Sequence, residues 1–143
     1  MSKSNTYEAD LLKLYFNATA ITNIATATSP ATDIYVALFT ADPTDTGSLT
    51  NEAAYTGYAR VAVPRTSATP GWAISGTAPT QASPTANIDF PVSAGGSTAT
   101  LTHFGVSRTI GGAPDYIGTI TPSIAMAAGV IPRITTASTI TED

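Results

Sequence analysis

The sequence predicts a mainly β domain, an antiparallel β-sandwich or jelly-roll-like fold with one amphipathic helix at its N-terminus. Three observations lead there. The run Ile34 to Phe39 is short, bounded by polar residues and rich in β-branched and aromatic types, which suits a strand. From residue 58 onward, apolar residues recur with a period of two between Gly- and Pro-rich turns. Only residues 4–18 sustain a helical period. At 143 residues the chain fits one domain, 1–143, large enough to bury about two-thirds of its unfolded surface.

The helix comes first. Tyr7, Leu11, Leu14, Tyr15 and Ala18 follow the i, i+4, i+7, i+8, i+11 pattern, with Leu12 and Phe16 widening the stripe. Asn5 or Ser4 can serve as N-cap, and Glu8 stands three residues after Asn5, in capping-box position. Glu8 and Asp10 also complement the positive end of the helix dipole. The stripe is broad and aromatic for a terminal helix. Tyr7, Leu11, Leu14 and Tyr15 are therefore candidate partner contacts as well as candidate core. Residues 19–32, with Ile21 and Ile24 as the large apolar anchors, read as a short helical turn and a linker ending at Ser29-Pro30.

The strand at 33–40 is apolar on both faces: Ile34, Val36 and Leu38 on one, Tyr35, Ala37 and Phe39 on the other. Such a strand is central and covered from both sides. It breaks at Asp42-Pro43 into a loop spanning 40–57 that carries Asp42, Asp45 and Glu52. Loops longer than about 12 residues in a compact domain are usually functional or disordered, which makes Asp42 and Asp45 candidate contacts.

Residues 58–136 read as antiparallel strands. Ala59, Val61 and Val63 alternate with Arg60, Ala62 and Pro64, where Pro64 marks an edge or an end. Trp72 and Ile74 make a short strand after Pro70-Gly71, within a surface excursion over 66–86. Ile88, Phe90 and Val92 alternate with polar residues or proline, and Ala99 to Val106 forms another strand. Tyr116 to Ile120, Ser123 to Met126 and Val130 to Thr136 close the series. No internal repeat, collagen period or heptad runs through the chain.

Charge narrows the partners. Charged residues make up 11% of the chain, against roughly 25% for an ordinary globular protein. Net charge is −4, and Arg60, Arg65, Arg108 and Arg133 are scattered. A nucleic-acid partner needs a basic footprint and an anionic membrane needs a basic cluster, so neither is expected. No cysteine is present for a disulfide or a thiolate metal site. The first hydrophobic segment is interrupted by Glu8, Asp10 and Lys13, unlike a signal peptide, and no 18-residue apolar stretch occurs.

Catalytic signals are weak. His103 is the single histidine, and a Ser-His-Asp arrangement would need Asp89 or Asp115 as its orienter. No Gly-x-Ser-x-Gly elbow accompanies it, so a packed or hydrogen-bonded strand histidine is the expectation. Asp42, Asp45 and Glu52 put hard oxygens in one loop, but their spacing fits no EF-hand; a solvated, capped turn is expected instead of a metal site. No phosphate loop or dinucleotide fingerprint occurs, and no cofactor and no enzyme activity are expected.

Six blocks in order carry a resemblance: Asn5-Thr-Tyr-Glu-Ala-Asp-Leu-Leu12, Ile34-Tyr-Val-Ala-Leu-Phe-Thr-Ala-Asp-Pro43, Thr56-Gly-Tyr-Ala-Arg-Val-Ala-Val63, Asn87-Ile-Asp-Phe-Pro91, His103-Phe-Gly-Val106 and Pro132-Arg-Ile-Thr-Thr136. The chain resembles a family of small virion proteins of tailed double-stranded-DNA bacteriophages, often labelled tail fiber proteins. The resemblance spans nearly the whole chain and implies a non-enzymatic virion structural protein, with no catalytic residues to carry over. A compact domain without repeats is closer in build to a capsid cement or decoration protein, clamping joints between major coat proteins on the outer capsid surface. On that reading the partners are the phage major capsid protein and copies of the chain itself, as a dimer or trimer. The alternative is a tail fiber or tail-tip protein that meets a host receptor.

Overall fold

The computed structural model describes residues 4–21, 25, 31–77 and 79–142. Its elements in order are the helix α1 (Asn5–Asn17) and the strands β1 (Asp33–Phe39), β2 (Val61–Pro64), β3 (Trp72–Ser75), β4 (Thr80–Pro84), β5 (Ile88–Asp89), β6 (Thr100–Ser107), β7 (Tyr116–Ala125), β8 (Arg133–Ile134) and β9 (Ile140–Glu142). The fold is mainly β with antiparallel sheets and one helix, consistent with the expected β-sandwich class. Two compact units share the chain. One comprises Met1–Asp33, Val63–Ala86 and Thr135–Asp143; the other comprises Ile34–Ala62 and Asn87–Ile134.

In the first unit α1 packs on a three-stranded sheet of order β3-β4-β9. Ser4 is the N-cap, its hydroxyl accepting from Tyr7 N at 3.4 Å. With Ser4 as cap, Glu8 falls one position past the capping-box site. Its backbone N–H bonds Ser4 O instead, and its side chain is buried with Leu12 and Phe16 on one i, i+4, i+8 row. That row, and not the expected Tyr7–Leu11–Leu14–Tyr15 stripe, is the most buried face. Phe16 meets Trp72 with ring centroids 4.7 Å apart and planes tilted by 52°. The stretch 66–86, expected as a surface excursion, therefore contributes two strands and a fully buried indole to this core.

The helix ends at Ala18, whose φ of 53° is left-handed. No basic residue sits in its last turn; the cation comes from Arg65, beyond the end of β2. Arg65 Nη2 donates to Leu14 O and Nε to Tyr15 O, both at 2.6 Å, and Nη1 donates to Ala31 O at 2.8 Å. Free carbonyls at a helix C-terminus are thus met by a positive charge. Arg65→Ala should cost about 2 kcal/mol in thermal or urea unfolding, with helical circular dichroism lost. Arg65→Lys should restore only part, because one ammonium cannot span three carbonyls.

The expected helical turn and linker at 19–32 fall largely outside the described residues. Ile21 and Ala25 exchange a reciprocal pair of backbone hydrogen bonds at 2.9 Å.

The second unit holds most of the sheet of order β2-β1-β6-β7 and the two-stranded β5-β8 ribbon. β1 is interior to its sheet, pairing β6 from Tyr35↔Ser107 to Phe39↔His103, and is buried from Val36 to Phe39, as its two apolar faces require. β7 spans the expected break at 121–122 as one element, but its ladder is interrupted there: His103 faces Thr119 and the next pair is Leu101 with Ile124, a register shift that sets Tyr116–Thr119 apart from Ile124–Ala125. Asp89 and Arg133 pair across β5 and β8. Among the described residues no helix is long and apolar enough to cross a membrane.

Candidate functional site: an anchored loop and a helix face

The loop after β1 is fixed at its base. Phe39 and Glu52 form an antiparallel bridge, Thr40 N bonds Asn51 O at 2.9 Å, and Ala53 N bonds Leu38 O at 2.8 Å. The Glu52 carboxylate then accepts three hydrogen bonds at 2.8 Å: from Tyr58 Oη, from Arg60 Nε and from Arg60 Nη2. Arg60 Nη1 reaches Gly112 O at 2.7 Å and Ser107 Oγ at 3.0 Å. Tyr58 Oη in turn accepts from Leu38 N at 3.1 Å. The side chains of Arg60 and Glu52 are 6% and 19% exposed, so this is a largely desolvated, bidentate pair.

The position of Arg60 corrects the alternation expected at 59–64. The alternation sets Arg60 among the polar positions of a half-buried strand, yet its side chain is nearly as buried as Val63. Its three sets of acceptors make that burial tolerable. The Thr56-Gly-Tyr-Ala-Arg block owes its character to this cluster, since Tyr58 and Arg60 both close on Glu52.

Partial burial pushes the Glu52 carboxyl up, but hydrogen bonds from Arg60 and Tyr58, with the guanidinium charge, outweigh it and hold the carboxyl below its ordinary value. Burial drives the Tyr58 phenol far above its usual range, with Glu52 adding to the rise and the Leu38 N–H opposing it. A carboxyl whose pKa falls on folding stabilises the fold above its unfolded value of 4.5, and that stability is lost as pH falls through the folded value. Urea midpoints should therefore drop on acidification below about pH 4.5, and Glu52→Gln should lose stability at pH 7 while flattening that acid dependence.

Above this base the loop turns at Thr44–Gly47. Asp42 Oδ1 accepts from Thr44 N at 2.8 Å, an Asx turn, and Asp42 and Asp45 are both exposed. Gly47, with φ of 62°, lies against the β6–β7 connection: a Cβ there would sit 3.0 Å from Ala113 Cβ. That connection lines a hollow of about 330 Å³ with Arg108, Thr109, Gly112, Ala113, Pro114 and Asp115. Asp115 Oδ1 accepts from Arg108 Nη2 at 2.8 Å, and Ile110 stands 69% exposed at its tip.

The other candidate contacts lie on α1. Tyr7 is 40% exposed, and Leu11, Leu14 and Tyr15 are half-buried, so this face is left partly open while Leu12 and Phe16 face the core. The two groups belong to different units, α1 to the first and Asp42 and Asp45 to the second. His103 Nδ1 lies 2.9 Å from Thr102 Oγ1, whereas Asp89 engages Arg133 and Asp115 engages Arg108. No three His, Cys, Asp or Glu side chains gather as a metal site among the described residues.

A family model described as "Podophage GP4 fiber I protein gp80" matches residues 2–141. The chain belongs to that family. It is thus a phage virion structural protein of a family labelled for a fiber, and the resemblance read from its six blocks holds. No curated protein matches the chain.

Proposed function

We propose that the protein is a non-enzymatic fiber subunit on the tail of a phage particle, built up from copies of itself, with the loop end of its second unit turned toward the host. The observation that carries this reading is the match of residues 2–141 to a family described as a fiber protein. The anchored loop supports it: Glu52 and Arg60 hold the base rigid while Thr44–Gly47, Ile110 and the hollow beside them present hydroxyls, one ion pair and exposed apolar surface. Exposed loop surface held in position by a fixed base suits recognition. Absence of catalysis is supported by the engagement of Asp89 and Asp115 with arginines and of His103 with Thr102.

The capsid clamp is the second reading, favoured by the partly open apolar face of α1 at Tyr7, Leu11, Leu14 and Tyr15, which suits a neighbouring coat protein. Quantitative mass spectrometry of purified particles separates the two. A fiber subunit should be present at a few to a few dozen copies per particle and cluster at the tail under labelled-antibody microscopy. Hundreds of copies spread over the head would overturn the fiber assignment in favour of the clamp.

A further inference from the structure

Arg60 stands between two exposed segments of the second unit. Its Nε and Nη2 hold the Glu52 carboxylate at the base of the loop 40–57, while its Nη1 serves the β6–β7 connection. There the turn Thr109–Gly112 is closed by Gly112 N, which donates to Thr109 O at 3.1 Å. Nη1 reaches both ends of that turn. It donates directly to Gly112 O, and to Ser107 Oγ, whose shorter onward bond runs to Thr109 O at 3.0 Å. Between those ends Ile110 is exposed.

The rest of the connection is held without Arg60. Pro114 seats against Gly105 of β6, where a Cβ would lie 2.7 Å from Pro114 Cβ, and Asp115 N donates to Val106 O at 2.8 Å. The loop and the connection also meet where Gly47 faces Ala113. A few van der Waals contacts there are weak beside charge-assisted hydrogen bonds from a guanidinium.

We propose that Arg60 is a positioning residue that couples the loop 40–57 to the Thr109–Gly112 turn, so that ordering or loosening of one is transmitted to the other. The reason is geometric. A guanidinium is planar and rigid, so the two bonds to Glu52 fix the direction in which Nη1 points. Released from Glu52, the side chain regains rotamer freedom, and the turn loses its donor at both ends. Coupling of this kind is reciprocal: a partner that orders Ile110 and its neighbours would also tighten Glu52 and the loop it anchors. The coupling goes beyond the fiber reading and holds wherever on the particle the protein sits.

Amide hydrogen exchange, followed residue by residue by NMR, tests it with Glu52→Ala as the perturbation. At about pH 6, where Glu52 of the parent is ionised, Gly112 N–H should exchange about tenfold faster in the variant. Asp115 N–H should stay within about twofold of the parent, because Val106 O and the Pro114–Gly105 contact are untouched. Asp42→Ala removes the acceptor of Thr44 N without reaching Arg60; it should speed exchange at Thr44 and leave Gly112 unchanged. Should Glu52→Ala fail to fold by circular dichroism, Glu52→Gln keeps the side chain's shape and should act in the same direction, less strongly. An unchanged Gly112 N–H in the folded Glu52 variant would overturn the coupling. So would equal acceleration at Gly112 and Asp115, or an Asp42→Ala variant acting on Gly112 as strongly as the Glu52 variant. None of these outcomes touches copy number on the particle, so the fiber assignment stands or falls separately.

Discussion

Arg60→Ala should be among the most destabilising single substitutions in the second unit, costing about 3–5 kcal/mol. The change removes the cation from a carboxylate only 19% exposed and leaves Glu52 with the Tyr58 hydroxyl alone, while Gly112 O and Ser107 Oγ lose their donor. At about 3 °C per kcal/mol for a chain of this size, the thermal midpoint should fall by about 10 °C. Arg60→Lys should recover little, since an ammonium cannot make the paired Nε and Nη2 bonds. The double variant Arg60→Leu/Glu52→Leu discriminates the cause. If uncompensated charge dominates, it should be more stable than Arg60→Ala; if it is equally unstable, geometry at the loop base matters more than charge.

Trp72→Ala should cost a similar amount, about 3–5 kcal/mol, through a different mechanism. The indole is 1% exposed and packs on Phe16, so truncation opens a cavity between α1 and the β3-β4-β9 sheet. Trp72→Phe should cost far less than Trp72→Ala. The indole Nε1 is buried with no hydrogen-bond partner among the described residues, so the smaller ring also removes an unsatisfied donor. Denaturant unfolding followed by far-ultraviolet circular dichroism measures both. A Trp72→Phe variant as unstable as Trp72→Ala would show that ring size, and not the polar atom, decides this site.

What was legible in the sequence was whatever rests on periodicity. The helix, the doubly apolar β1 and the existence of β6 follow from side-chain patterns local to the chain, whereas the expected Ile88–Phe90–Val92 alternation shrinks to the two-residue β5 with Val92 exposed. β4 and β9 were not legible. Thr80-Gln-Ala-Ser-Pro84 has almost no large apolar residue, and becomes a strand because β3 and β9 supply its ladder from either side. The buried helix row failed for a related reason. Glu8 breaks the apolar pattern of the 8–12–16 row, so the more hydrophobic stripe beside it looked like the core face. The Glu52–Arg60 pair is eight residues apart in sequence and its burial depends on Gly112 and Ser107, some 50 positions away. One signal for it was present: a lone arginine within an otherwise apolar alternating segment, where a solvent-facing residue had no special need to be charged.

The division of the chain between two units has a consequence for a particle exposed to proteases. Following the sequence, the backbone passes from the first unit to the second, back, across again and back once more, four passages in all. Neither unit is a contiguous stretch that one cleavage could free. A nick in the exposed stretch Thr44–Thr46 would leave both new ends tied into strands on either side, β1 before it and β2 after it. Cut at that point, the protein should run as two fragments when denatured yet migrate as one species when native, and a particle carrying it would keep the subunit after the damage.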